Sequence, residues 1–172
     1  MDAIKAGLAP IARSDARLFI LGSLPGDVSL AQARYYAHPT NQFWRLVGTA
    51  IGEELHALDY AARLERLAER RIGLWDVLAS ARRAGSLDQG IRDPRHNPVA
   101  ELPERFPELR AIAFNGAKAA SGGRRLIGPS VGVIALIDLP SSSAAFTLRF
   151  ADKARAWSVL ADYCGSPSAA PR

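Results

Sequence analysis

Cysteine is almost missing from this chain: Cys164, close to the C-terminus, is the only one, so no disulfide can form within it. Histidine is scarce too. His38, His56 and His96 are scattered and have no second cysteine to join, which argues against a zinc or iron–sulfur site and leaves chemistry without a metal or cofactor. Hydrophobic residues make up 48% of the chain, yet no apolar run reaches the length of a bilayer span. The N-terminus also lacks the short apolar stretch and cleavage signal of a secretory peptide. A soluble cytoplasmic protein with no membrane partner is expected. No Walker lysine follows Gly26 and no acidic cluster could hold magnesium, so a nucleotide hydrolase ranks last among the readings. There is no lysine placed for a Schiff base and no internal repeat.

What is present suits one compact unit. A chain of 172 residues is long enough for a single core and short for two, so residues 1–164 are read as one domain. Residues 165–172, rich in Ser, Pro and Ala, are read as a disordered tail. The 22 Lys and Arg outnumber the 17 Asp and Glu, a formal net charge of +5, and most cations are arginine, whose fork suits phosphate. That permits a polyanion partner and equally fits a well-solvated surface. Short apolar runs at Arg17–Leu21, Ala111–Phe114 and Val133–Ile137 read as buried strands, with Gly73–Val77 a fourth. Helix-like stretches at Asn41–Ile51, Tyr60–Arg71, Gly116–Leu126 and Phe150–Tyr163 alternate with them. Alternating β and α predicts an α/β protein with a parallel sheet and helices on both faces.

Loops leaving the carboxyl ends of parallel strands meet in one crevice, so they are where chemistry is sought. The longest runs from Gly22-Ser23-Leu24-Pro25-Gly26 through Tyr35 and Tyr36 to His38-Pro39-Thr40-Asn41-Gln42-Phe43-Trp44. Glycine lets backbone amides approach a ligand and proline fixes the path between them; the same residues also fit a turn that only reverses the chain, with Phe43 and Trp44 in the core. Asn115, before Gly116 at a strand end, offers a donor and an acceptor to a base edge, or caps a turn. Ser141, Ser142 and Ser143, before a helix, either hold phosphate or act as an ordinary N-cap. Asp27 and Asp138 are the carboxylates that stand at strand ends, both also ordinary turn residues.

Taken together these motifs resemble the uracil-DNA glycosylase superfamily, and within it the hypoxanthine-DNA (deoxyinosine) glycosylase branch, family six. The segment Gly22–Trp44 matches its first motif unbroken. Gly73-Leu74-Trp75-Asp76-Val77-Leu78, Gly85-Ser86-Leu87-Asp88, Phe114-Asn115-Gly116 and Leu139-Pro140-Ser141-Ser142-Ser143 match further, over residues 16 to 163.

The resemblance implies a three-layer α/β/α sandwich around a short parallel sheet. It also implies a monofunctional glycosylase that flips a deaminated base out of double- or single-stranded DNA and hydrolyses its N-glycosidic bond, leaving an abasic site. Hypoxanthine is the first choice of base, with uracil and xanthine as alternatives. By the same resemblance Asn41 is catalytic, and Tyr36, Asn115 and the Gly22, Ser23, Leu24 turn bind the base. Ser141, Ser142, Ser143 and His38 contact DNA, and the enzyme works as a monomer. Leu24 and Leu139 stand where other branches carry an acidic or amide residue and a histidine, and Ala144-Ala145-Phe146 replaces an expected proline and asparagine. The hypoxanthine branch shares the first two losses and relies on the Asn41 position. The rival reading is a nucleic-acid binder that kept the fold and lost the chemistry.

Overall fold

A computed structural model describes residues 3–129 and 132–167. The strands form two sheets. The first is a four-stranded parallel sheet built from β2 (Leu18–Gly22), β3 (Ile72–Asp76), β6 (Ala111–Asn115) and β7 (Ala135–Leu139), in the order β3-β2-β6-β7. Every residue of β2, β3 and β6 is buried, which is why these strands read as continuous apolar runs rather than alternating ones.

Side chains alternate across the sheet, and the two faces build separate cores. Leu18 and Ile20 pack with Phe43, Leu46, Val47, Leu67 and Trp157 on the side of α2 (Phe43–Ile51), α3 (Tyr60–Glu69) and α6 (Phe150–Trp157). Phe19 and Leu21 pack with Ile112, Phe114, Leu102 and Ile127 on the side of α4 (Leu102–Arg105) and α5 (Ala117–Ile127). Helices on both faces make three layers, as the alternation of strand and helix predicts.

The second sheet is not foreseen from the sequence. Strands β1 (Ile4–Ala6), β4 (Leu78–Arg82) and β5 (Arg92–His96) pair antiparallel in the order β1-β4-β5. Strand β4 follows β3 after Val77 alone, and a small core of Leu24, Leu78, Ala81 and Ile91 joins this sheet to the turn after β2.

Most helix and strand ends fall within two residues of expectation, the last helix stops at Trp157 with a 3-10 turn beyond it, and two further differences bear on the site. The last strand starts at Ala135 rather than Val133, because its partner β6 starts at Ala111, directly opposite Ala135, and Val133 is fully exposed. The serine loop does not run straight into a helix: α6 begins at Phe150. Of the tail, Gly165 exchanges hydrogen bonds with Arg70, and residues 168–172 lie outside the described residues. No helix among the described residues is long and apolar enough to cross a membrane.

Candidate functional site

Because the four strands are parallel and in register, Gly22, Asp76, Asn115 and Leu139 end the sheet along one edge. A crevice of about 1000 Å³ opens there. Every residue expected at the site lines it, from the Gly22–Leu24 turn through Tyr36, His38 and Asn41 to Asn115 and the Ser141–Ser143 loop.

Asn41 precedes α2 and is fixed by its own acceptor. From one residue ahead of the Gln42 N-cap, its Oδ1 receives the Phe43 N–H, the first of α2, at 2.9 Å and the Ser142 hydroxyl at 2.8 Å. The turn before it is tied as well: Asn41 N–H donates to the His38 carbonyl at 3.0 Å, and His38 Nδ1 accepts the Thr40 N–H at 3.1 Å. With Oδ1 doubly engaged, the Nδ2 group is what Asn41 has left to offer the crevice.

Ser142 is 1% exposed and joins three segments. Its Oγ accepts from Asn115 Nδ2 at 2.9 Å, its N–H donates to Asn115 Oδ1 at 2.9 Å, and its carbonyl accepts the Gln42 N–H at 2.9 Å. Both amide atoms of Asn115 therefore bond the serine loop, and each keeps one further hydrogen-bonding position toward the crevice that Asn115 lines. Lys153, buried on α6, braces the same loop from behind through Gln42 Oε1 at 2.9 Å and the Ser143 carbonyl at 3.0 Å.

The Gly22–Gly26 turn is held from the far side. Val77 and Leu78 N–H groups donate to the Gly22 and Ser23 carbonyls at 2.8 and 3.0 Å. Arg83, 1% exposed at the end of β4, gives its fork to the Pro25 carbonyl at 2.5 Å, the Leu24 carbonyl at 3.4 Å and the Gly85 carbonyl at 2.9 Å. Burial lowers the pKa of this guanidinium, and Asp88, Asp27 and Asp76 oppose that shift. Ser23 donates to Asp88 Oδ1 at 2.5 Å, and Leu24 sits in the small core.

Tyr36 adopts a left-handed backbone (φ 52°) and stacks its ring on Phe43, with centroids 3.8 Å apart and planes 12° from parallel. Its buried hydroxyl lies beside the Asn115 side chain and makes no hydrogen bond of good geometry. Burial, then the charge of Asp76, pushes that phenol far above its ordinary range.

The carboxylates are not where the sequence suggests. Asp138 is 60% exposed, pairs with Arg124 at 2.9 Å and does not line the crevice. Asp27 stands at its rim, bound to Lys5 at 2.5 Å. The carboxyl groups inside are Asp76, 3% exposed at the end of β3, and Asp88, in the turn between β4 and β5. Sequence reasoning matches both to motifs and passes over their chemistry, because an aspartate after an apolar strand reads as a turn. Lys118, at the start of α5, also lines the crevice. Among the described residues no group of three His, Cys, Asp or Glu side chains could hold a metal ion.

Comparison with known proteins agrees with this geometry. The sequence model of the uracil DNA glycosylase superfamily matches residues 10–161. A hypoxanthine DNA glycosylase of Methanosarcina barkeri is 43% identical over 140 residues, covering 81% of this chain and 87% of the relative. A second, from Methanosarcina acetivorans, is 47% identical over 116 residues, covering 67% and 73%. The solution NMR structure of a candidate uracil DNA glycosylase from Methanosarcina acetivorans superposes with a TM-score of 0.79 at 40% identity, over 92% of this chain and 96% of that one. With the match spanning nearly the whole sheet and every strand end that forms the crevice, the chain belongs to the uracil DNA glycosylase superfamily.

Proposed function

We propose that this protein is a monofunctional DNA glycosylase that extrudes a deaminated base, hypoxanthine above uracil and xanthine, and hydrolyses its N-glycosidic bond. The observation that carries the reading is the Asn41 amide, locked by two donors on Oδ1 at the mouth of a crevice on the carboxyl edge of the sheet. The two Methanosarcina relatives, which bear the name hypoxanthine DNA glycosylase, support the choice of base.

Breaking the bond leaves the sugar cation-like and the departing base anion-like, so the site needs preorganised dipoles more than a strong nucleophile. Asn41 Nδ2 holds the attacking water by one lone pair and leaves the other aimed at C1′. The carbonyls of Gly22, Ser23, Leu24 and Pro25 already accept hydrogen bonds from behind. What the turn has to give a base is therefore its N–H groups, which suit developing negative charge. Tyr36 and Asn115 wall the base pocket, Asn115 by fixing the Ser142 side of it. Ser141, Ser143 and His38 meet the DNA backbone.

The test is a duplex with a single inosine. Purified protein should leave an alkali-labile break at the inosine and none at adenine in the same position. Tight binding with no break would favour the reading of a binder that lost its chemistry.

A further inference from the structure

Asp76 and Tyr36 place two unsatisfied polar groups at the floor of the crevice. Asp76 Oδ2 is buried without a partner, and the Tyr36 hydroxyl makes no hydrogen bond of good geometry, with the Asn115 side chain beside it. The two converge on Gly22, the strand neighbour of Asp76: a methyl group at Gly22 would stand 2.5 Å from Asp76 Oδ1 and 3.0 Å from Tyr36 Oη. Glycine there makes room for the carboxyl to pack against its Cα, and Asp76, Tyr36 and Gly22 all line the crevice.

A carboxyl group in this position is awkward unless something enters to use it. Burying a charge without a paired cation is costly, so the neutral acid is favoured. The groups that face it are few. The Tyr35 and Tyr36 hydroxyls come from the segment before α2, Asp88 from the turn between β4 and β5, and Arg83 from the end of β4. Arg83 is the one cation of this set, and its fork is already given to three carbonyls. Burial first, and then the charge of Asp88, pushes the Asp76 carboxyl up to about 7, with Arg83 opposing. Near neutral pH Asp76 thus carries a proton for much of the time, in the wall of the crevice.

We propose that Asp76 is the general acid of the reaction, donating its carboxyl proton to a ring nitrogen of the extruded purine as the bond to C1′ breaks. This rests on the glycosylase reading and deepens it. The bonding pair goes to the base, which leaves as neutral hypoxanthine. The water oxygen bonds to C1′, and the proton it sheds passes through solvent to restore the acid, so the sum is hydrolysis. Protonation matters more for a purine than for uracil, whose N1 anion spreads onto the adjacent C2 carbonyl and, through the C5=C6 double bond, onto the C4 carbonyl.

Single-turnover cleavage of inosine and uracil duplexes from pH 5.5 to 9 tests this. On inosine the rate should fall about tenfold per pH unit above an inflection near 7. Asp76→Asn should be roughly a hundredfold slower or more at pH 6, with the alkaline fall abolished and a smaller loss on uracil. Asp88→Asn, which removes the neighbouring negative charge, should move the wild-type inflection to lower pH. An NMR titration of the Asp76 carboxyl carbon in the free protein gives a readout independent of turnover. A midpoint below 5, or Asp76→Asn retaining the wild-type rate and alkaline limb, overturns the proposal while the glycosylase reading stands. If the wild type leaves inosine intact, both fall together.

Discussion

The Ser142 hydroxyl donates to Asn41 Oδ1 at 2.8 Å, tying a loop after the last parallel strand to the residue that caps α2. The same oxygen accepts from Asn115 Nδ2, so one side chain aligns the two asparagines of the site. Ser142→Ala leaves Asn115 Nδ2 without its partner and frees Asn41 to turn. Melting should report a loss of about 1–3 kcal/mol, the cost of buried groups left unpaired. Single-turnover cleavage should fall by roughly tenfold or more as the Asn41 amide loses its alignment.

Asp76 gives the protein a pH-dependent stability of defined sign. Its carboxyl titrates at about 7 in the folded state against 3.8 for the unperturbed group. The folded state therefore binds more protons between those values, and stability declines as pH rises from about 4 to 7. Asp76→Asn removes that slope. Its melting temperature should exceed the wild type's at pH 8 and converge with it near pH 4, a difference on the order of a few kcal/mol at most. Parallel melting curves at both pH values would contradict it.

DNA affinity should depend steeply on salt. The chain carries a formal net charge of +5, rich in arginine, and contacts to phosphate release counterions. Titrating a non-cleavable inosine analogue should give a log–log slope of about −3 or steeper, whereas a flat line would remove the phosphate contacts from the account.

Cleavage should survive excess EDTA, since Asn41, Ser142 and Asn115 complete their geometry with one another. Activity lost to chelator and restored by one added metal would overturn this.

The central sheet is legible in the sequence because β2, β3 and β6 are buried on both faces and carry little but apolar side chains. The place of their loops follows from strand direction, whereas Tyr36, His38 and Asn41 are picked out by the family resemblance and Asp76 and Asp88 by neither. The antiparallel sheet is not legible. All of β5, Arg92 to His96, is exposed and contains Pro94, so neither an apolar run nor an alternation marks it. Arg83 follows for the same reason: one arginine among many looks like surface, and only the backbone path of the Gly22–Gly26 turn makes it an internal clamp. Asp76 is visible as a letter and invisible as chemistry, because what distinguishes it is its burial against Gly22, whose missing side chain makes room for the carboxyl.

The most direct measurement compares Asn41→Asp and Asn41→Ala with wild type for release of free hypoxanthine from a single-inosine duplex under single-turnover conditions, with melting temperatures alongside. Aspartate keeps the acceptor that caps α2 and removes the Nδ2 donor; alanine removes both, and should lower stability by about 1 kcal/mol. Asn41→Asp should melt close to wild type yet release base roughly a hundredfold more slowly or worse, the scale for losing one preorganised polar group. Wild-type release by Asn41→Asp would show that the residue is only a helix cap and that the chemistry lies elsewhere in the crevice.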